Sequence, residues 1–404
     1  MLRVLRLAWL TSVRQPGRTS IGVLGVVAVG ALLFDMLLLS RGLVLSFRDL
    51  LDRAGFDVRV LATDAAPFTG PRIVEADAVA AAIAALPQVE AVVPVSIREA
   101  DIVSETAASQ PPGRVQLIAA APQARPMWTL VDGRDLSAGA GANPPLVVNR
   151  TVADRLSLSP GSTLTLRGAC GPDGSVLPPV AFAIVGVAGF PFDDAAAQTV
   201  AGRLSDIGRL CEGGMELGVD MLLVRSNQRE GAGRAAAAIQ ALLPPLHVVT
   251  NEELVERFSR VQFSYFRQIS FVLATVTLFF GFLLITVLLT ASVNQRLGEI
   301  AALRAVGLSR TRVVAGVLCE SVMMVGAGAI LAVPVGLVLS VWLDDILRAL
   351  PGIPSDVHFF VFEGRTLVAY TWLLGAASVG AALYPMRIVA TLPIAATLRR
   401  EVVG

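Results

Sequence analysis

Lysine is missing from this chain: all 33 basic residues are arginine, and 32 acidic residues bring the formal net charge to +1. A phosphate-binding loop of the Walker type needs a lysine that reaches the β- and γ-phosphates of ATP. The chain therefore has no ordinary loop of that type, and any ATP that drives its function is hydrolysed by another polypeptide. The near-neutral charge also gives no reason to expect nucleic acid as a partner.

Histidine and cysteine are scarce, which argues against most catalytic and metal sites. The two histidines, His247 and His358, lie far apart and lack the spacing of zinc ligands. No Ser/His/Asp arrangement stands out, so we predict neither a catalytic residue nor a metal site. Cys170 and Cys211 fall in the segment that we place outside the cytoplasm below, where they form a disulfide or stay free and buried. Cys319 is predicted to be a packing residue.

Charged residues are also few, at 16% of the chain, whereas hydrophobic residues make up 54%. Four long apolar stretches, at 19–40, 269–293, 313–343 and 366–386, contribute most to this composition. Each is long enough for a helix that crosses the hydrocarbon core of a bilayer, which takes about 20 residues. We therefore predict an integral membrane protein with four transmembrane helices, one before and three after a large extracytoplasmic mixed α/β domain.

Arginine placement predicts the orientation, because short loops rich in basic residues stay in the cytoplasm. The segment 1–18 has four arginines and no acidic residue, and the loop between the second and third stretches has four arginines against Glu299. The loop 344–365 carries four acidic residues against two arginines. Both termini are therefore predicted to face the cytoplasm, with the large domain outside the cytoplasmic (inner) membrane.

These patterns divide the chain into nine segments. The first, 1–18, is an interfacial or cytoplasmic helix, or else an extended start of the first span. The others, in chain order, are transmembrane helix 1 (19–46), the extracytoplasmic domain with its stalk ends (47–265), transmembrane helix 2 (266–294), a cytoplasmic helix (295–311), transmembrane helix 3 (312–343), an outer loop (344–365), transmembrane helix 4 (366–387) and a cytoplasmic tail (388–404).

Within the extracytoplasmic domain, short β-branched runs alternate with turn residues and a few helical patterns. Gly is frequent and periodicity is poor at 189–218, which we interpret as an irregular insertion. The domain is large enough to have its own hydrophobic core, and it is predicted to form either one lobe or two. Strands are predicted at 56–61, 89–95, 115–120, 145–148, 162–167, 180–187, 221–224 and 246–249, and helices at 73–86, 151–156 and 231–243.

The two ends of this domain read as helices that continue the first span and lead into the second. They are Arg41–Ala54 and Asn251–Gln268, and together they would form a stalk. Packed helices move as near-rigid units, so a stalk would transmit displacement. The alternative is a pair of flexible linkers, which the scarcity of Gly and Pro in 251–268 disfavours.

The loop between the second and third spans has the pattern of a short amphipathic helix. Leu297, Ile300 and Leu303 share one side, whereas Glu299 and Arg304 mark the polar side. Gly307 is placed to end the helix. Spacing alone leaves two interpretations open, a docking site for a cytosolic motor or a turn helix that lies on the membrane.

Two acidic residues fall within the apolar stretches, Asp35 in the first and Glu320 in the third. Ionisable groups inside a membrane are costly and often functional. Each could nevertheless approach a headgroup region and pair with a nearby arginine, such as Arg41 for Asp35. We favour a structural pairing role over a proton or substrate pathway.

The cytoplasmic loop is similar to the (R)REIxxLRAxGxS signature of FtsX/MacB-type (LolC/E-like) ABC transporter permeases. The likeness continues through the Gly-rich run Gly326–Gly336, through Tyr384-Pro385 and through the tail Leu392–Arg399. The extracytoplasmic block resembles the MacB-like periplasmic core domain, with cues that include Phe56–Val60. The signature positions that match are Glu299, Ile300, Leu303, Arg304, Ala305, Gly307 and Ser309.

The resemblance implies a permease subunit that forms a homo- or heterodimer and binds a separate cytosolic ABC ATPase. No cofactor is then expected on this chain, because the partner binds ATP. A membrane-fusion adaptor and membrane lipids are further implied partners. The residues implied to couple to the ATPase are Leu297, Glu299, Ile300, Leu303, Arg304 and Gly307.

Two functions are compatible with that resemblance. In the first, the subunit exports or extracts a substrate such as a lipoprotein, lipid, peptide or drug. In the second, it is a mechanotransmission subunit that activates an extracytoplasmic enzyme such as a cell-wall hydrolase. The large outer domain favours the first function.

Overall fold

A computed structural model describes most of the 404-residue chain. The residues that it describes are 16–64, 70–103, 113–121, 127–136, 142–168, 178–210, 218–261, 263–295, 298, 309–350 and 353–391.

The described residues form eight α-helices and ten strands, numbered in chain order. The helices are α1 (Pro16–Arg53), α2 (Ala76–Ala84), α3 (Arg150–Leu156), α4 (Ala232–Leu242), α5 (Asn251–Val261), α6 (Phe263–Gln295), α7 (Arg310–Arg348) and α8 (Gly364–Thr391). The strands are β1 (Val58–Leu61), β2 (Val89–Ile102), β3 (Arg114–Ala120), β4 (Thr129–Gly133), β5 (Pro145–Asn149), β6 (Thr163–Gly168), β7 (Val180–Gly189), β8 (Thr199–Arg203), β9 (Met221–Ser226) and β10 (His247–Thr250).

The chain divides into two compact units. One, the helical unit, comprises Met1–Leu43, Val261–Asp345 and His358–Gly404. The other, the sheet unit, comprises Val44–Arg260 and Ile346–Val357. The chain therefore passes between the units four times, twice at the ends of the large domain, once in the last turn of α7 and once in the loop before α8.

In the helical unit, four helices of the described part are long and apolar enough to cross a membrane. Small residues let them approach closely, as is common between membrane helices. A Cβ atom at Gly30 of α1 would lie 2.8 Å from Cβ of Ala332 in α7, and one at Gly328 would lie 2.6 Å from Cβ of Val26. The four candidate spans are Ser20–Arg53, Arg267–Gln295, Val322–Arg348 and Gly364–Arg387.

The sheet unit contains a closed six-stranded barrel. Its strands pair in the circular order β2-β3-β8-β5-β7-β6 and back to β2, so none of the six is left as an edge. β4 is not a member of this ring, and it pairs with β7. Leu117, Leu146, Leu166 and Ile184 are among the buried side chains of the main core. We call this part the barrel lobe.

An open, antiparallel lobe extends from the barrel in the order β10-β1-β9-β2. The long strand β2 belongs to both lobes, because its first half pairs with β9 and its second half with β3. Ile83 of α2 and Ile239 of α4 are buried in the same core as these strands. The two lobes thus differ in topology and share one sheet and one core.

The strands and helices predicted for this domain are confirmed, with shifts of a few residues at their ends and a longer β2. The irregular insertion predicted at 189–218 is wrong for residues 199–209, and residues 211–217 lie outside the described part of the chain. Residues Thr199–Arg203 form β8, a strand of the barrel that pairs with β3 on one side and β5 on the other. A 3₁₀-helix follows at Leu204–Arg209. β8 is buried on both faces, so its sequence lacks the alternation by which half-exposed strands are recognised.

Candidate functional site

The last part of α1 and the helix α5 lie side by side within the sheet unit. The rings of Phe47 and Phe258 are 4.9 Å apart, and Arg48 forms a 3.0 Å ion pair with Glu252. We call Val44–Arg53 and Asn251–Arg260 the helix pair. Both ends of the predicted stalk are thus helical over these residues and in contact with each other.

The start of α5 is fixed by a capping box. The backbone N–H of Glu253 donates to Oγ1 of Thr250 at 3.2 Å, and the N–H of Thr250 donates back to the Glu253 carboxylate at 3.3 Å. This reciprocal pair satisfies two N–H groups at the point where strand β10 turns into the helix. The turn itself places Asn251 at the base of the helix pair.

Asn251 joins both helices to the open lobe. Its Nδ2 donates to Oδ1 of Asp52, the end of α1, at 3.2 Å and to the carbonyl of Phe56 at 3.1 Å. Its Oδ1 accepts from Arg59 in β1, and its backbone N–H donates to the carbonyl of Asp57 at 2.9 Å. One side chain, 6% exposed, therefore ties two helices and a strand together.

Charge is balanced around this buried junction. Burial lowers the pKa of Arg59 to about 10, while Asp52 and Asp57 act in the opposite direction, so the guanidinium stays charged at neutral pH. The carboxylate of Asp57 accepts from the N–H of Ser226 at 2.8 Å and from its hydroxyl. In the junction, charged and neutral side chains thus satisfy one another's hydrogen-bonding groups.

A cleft of about 770 Å³ opens beside the junction. The cleft borders the junction on one side, because Asp52, Asp57 and Asn251 are among the residues that line it. The charged residues that line it are Asp52, Asp57, Glu90, Arg225 and Arg229, and the polar ones are Ser226, Asn227, Gln228 and Asn251.

Comparison with known families decides the class of the chain. The model of the MacB-like periplasmic core domain matches residues 19–242, more than half of the chain, and that of the FtsX-like permease C-terminal matches residues 271–394. The chain belongs to the FtsX/MacB-type ABC transporter permeases. Such permeases have an extracytoplasmic domain and work with a cytosolic ABC ATPase.

Several solved structures resemble parts of the permease. The periplasmic region of MacB from Actinobacillus actinomycetemcomitans is 12% identical, with a TM-score of 0.38, and the match covers 51% of this chain and 94% of that one. The extracellular domain of the ABC-type transporter YknZ from Gram-positive bacteria is 13% identical, with a TM-score of 0.33 and coverage of 48% and 99%. A permease domain from Porphyromonas gingivalis is 16% identical, with a TM-score of 0.32 and coverage of 48% and 89%. No curated protein matches the permease.

The acidic residue within the apolar stretch of α1 has a different partner from the one expected. Asp35 is fully buried, and its Oδ1 accepts a 2.6 Å hydrogen bond from the hydroxyl of Ser340 in α7. Arg41, the expected partner, lies 3.6 Å from Glu363 instead. Oδ2 of Asp35 is buried and has no hydrogen-bond partner among the described residues. The side chain of Glu320 lies outside those that the structure describes.

Replacing Ser340 with alanine is expected to destabilise the permease by about 1 kcal/mol, since Asp35 loses its hydrogen bond between α1 and α7. The measurement is the midpoint of thermal unfolding of the full chain in mild detergent. Ser270→Ala is the matched control, because that buried hydroxyl has no hydrogen-bond partner among the described residues. Equal midpoints for the two variants would show that the Asp35–Ser340 bond contributes nothing.

Other predicted site residues cannot be placed. The coupling residues Leu297, Glu299, Ile300, Leu303, Arg304 and Gly307 lie outside the described residues, and so do Cys170 and Cys211. Within the part of the chain that is described, Cys319 is a free cysteine and no group of three His, Cys, Asp or Glu side chains could hold a metal ion.

No local sequence pattern marks the residues of the junction. Asn251, Arg59 and Ser226 have partners that are distant along the chain, so their spacing gives no signal. The pattern from Thr250 to Glu253 was a readable signal, since Thr followed three residues later by Glu is the signature of a capping box. It predicts where α5 begins, and the junction lies one residue further.

Proposed function

We propose that this permease spans the cytoplasmic membrane with four helices, one before and three after the extracytoplasmic domain. The four long apolar helices of the described part support this arrangement. The arginine-rich segments before the first and between the second and third of them support cytoplasmic termini. Two copies, or one copy and a related chain, form the membrane part of the transporter.

The permease is driven by a separate ATPase that docks on the cytoplasmic helix at 295–311. The absence of lysine supports a separate motor, since the chain has no ordinary Walker loop. Leu297, Ile300 and Leu303 would give the apolar docking face, and Glu299 and Arg304 the polar contacts. ATP stays on the partner chain.

Displacement of the helices reaches the extracytoplasmic domain through the helix pair, and the domain then exports or extracts its substrate. The observation that carries this proposal is the Asn251 junction, which bonds the ends of both helices to strand β1. Because helix pair and open lobe share these buried bonds, a displacement of the pair moves the lobe with it.

Leu303→Glu is expected to weaken binding of the ATPase at least about tenfold, because it puts a charge into the docking face. The measurement is co-purification from native membranes in mild detergent, with the ATPase identified by mass spectrometry. Leu242→Glu is the matched control, since Leu242 is 45% exposed in the sheet unit. Retention of the ATPase by the Leu303 variant, or its loss from both variants, contradicts the proposed docking face.

A further inference from the structure

The loop between α7 and α8 contacts the outer domain. Residues Ile346–Val357, the last turn of α7 and the loop after it, belong to the sheet unit, although the rest of α7 and all of α8 belong to the helical unit. The N–H of Ser355 donates to the carbonyl of Asp193 at 2.8 Å, and Pro354 forms an antiparallel bridge with Asp194. Val357, which closes this turn through a 3.0 Å bond to Pro354, is 4% exposed. We call residues 353–357 the strap.

The strap docks on a turn of the barrel lobe that is held in shape by its own bonds. Oδ2 of Asp193 accepts from Nδ2 of Asn149 at 2.7 Å, and its Oδ1 accepts from the hydroxyl of Thr199 at 2.6 Å. Nδ2 of Asn149 also donates to the carbonyl of Ala197, which closes the turn. Asn149 and Thr199 end β5 and begin β8, so two strands of the barrel position Asp193.

The half-buried carboxyl of Asp193 is stabilised by those two donors. Burial raises the pKa of Asp193, whereas the hydrogen bonds from Thr199 and Asn149 lower it. Donors to a partly desolvated carboxylate favour its charged form, so they hold the side chain in this position. The geometry of the turn, and of the carbonyl that receives Ser355, is therefore fixed by the barrel and not by the strap.

The two ends of the strap's loop are anchored in the helical unit. Near the end of α7, Oδ1 of Asp344 accepts from the N–H of Phe359 at 2.7 Å, and its Oδ2 lies 2.8 Å from Nδ1 of His358. The backbone at Phe359 and Val361 lies directly against Gly42 of α1, where a Cβ atom would clash. Helices α1 and α7 thus hold the chain just outside the strap.

We propose that the strap is a second connection between the membrane helices and the outer domain, one that acts on the barrel lobe while the helix pair acts on the open lobe. The proposal rests on the proposed function, because a second connection matters only if helix displacement drives the outer domain. Two separate connections would let the two lobes move against each other about β2, the strand that they share. Asp193 is the positioning residue of the strap.

The docking is tested by cross-linking in the full chain in native membranes, with Cys170, Cys211 and Cys319 changed to serine. Partners in an antiparallel bridge have Cα atoms about 4.5–5.5 Å apart, which suits a disulfide. Asp194→Cys with Pro354→Cys should therefore form a disulfide under mild oxidation roughly tenfold faster than Asp194→Cys with Asp356→Cys. Equal rates would mean that the strap is a mobile loop, and would overturn the proposal.

The mechanical role needs a second measurement. Nitroxide labels are placed at Arg150 in the barrel lobe and at Arg365 in α8, which are both exposed. Pulsed electron paramagnetic resonance then measures the distribution of distances between the two labels. Ser355→Pro removes the N–H that donates to the carbonyl of Asp193, so we expect a broader distance distribution than in the unchanged chain. Adding the 194–354 disulfide should restore it.

An unchanged width in Ser355→Pro would overturn the role of the strap even if the cross-link forms. Neither measurement uses the ATPase. Failure of an ATPase to co-purify would therefore refute the proposed function and leave the docking result standing.

Discussion

Asp220→Ala is expected to lower the free energy of unfolding of the sheet unit by about 3–5 kcal/mol, the cost of leaving one partner of a buried ion pair alone. Nη1 of Arg98 lies 2.8 Å from Oδ2 of Asp220, and each side chain is 5% exposed. Burial lowers the pKa of Arg98, whereas Asp220 raises it. Without the carboxylate, a charged guanidinium would remain in the core.

The position of the Arg98–Asp220 ion pair increases the expected loss of stability. Asp220 also accepts from the N–H of Ile97 at 2.7 Å and from Nε of Arg72 at 3.2 Å. Ile97 and Arg98 lie on β2 where that strand passes from the open lobe into the barrel, and Asp220 directly precedes β9. The lost bonds therefore loosen the segment that both lobes share.

Thermal unfolding of the full chain in detergent measures this effect, with an expected fall in midpoint of roughly 10 °C. Asp101→Ala is the control, because Asp101 makes only a partly exposed 3.5 Å pair with Arg114; its effect should stay below about 1 kcal/mol. Arg98→Met combined with Asp220→Leu should recover part of the loss, since it removes both buried charges but leaves the N–H of Ile97 without its acceptor. A midpoint of Asp220→Ala equal to that of the control would contradict the prediction.

The sequence predicts the local elements of this fold much better than their pairing. Alternation in β3 and β7 reflects one face in the core and one outside, and such strands are readable from a single chain. Closure of the barrel depends on pairs such as β2 with β6 and β3 with β8, which are far apart in the sequence. Such pairing is set by packing in three dimensions, so no local pattern predicts it.

The same limit applies to the candidate site. Helical propensity and the scarcity of Gly and Pro predict both helices of the pair, and the structure confirms them with the Phe47–Phe258 contact. Asn251 gave no such signal, because its function in the junction depends on Arg59 and Asp52, which are remote in sequence. The contact of the strap gave no signal either, since the strap lies in the predicted outer loop and its partner turn lies in the predicted irregular insertion.

Asn251→Leu is expected to destabilise the sheet unit by about 3 kcal/mol, because the carbonyl of Phe56 and the charged group of Arg59 would each lose a buried partner. Glu252→Ala is the matched control. It removes a contact of the same helix pair, but that ion pair is largely exposed and should cost less than about 1 kcal/mol. Thermal unfolding of the full chain measures both, and equal shifts would contradict the prediction.

Asn251→Asp separates the mechanical effect from simple loss of stability. An aspartate keeps an acceptor for Arg59 but cannot donate to Asp52 or to the carbonyl of Phe56, so the junction should loosen while the fold persists. Nitroxide labels at Glu256 in the helix pair and Arg234 in α4, both exposed, should give a broader distance distribution than in the unchanged chain. Where the ATPase co-purifies, its ATP hydrolysis should continue in this variant while the ATP-dependent shift of the open lobe is lost. A shift of unchanged size would show that the junction does not carry the displacement.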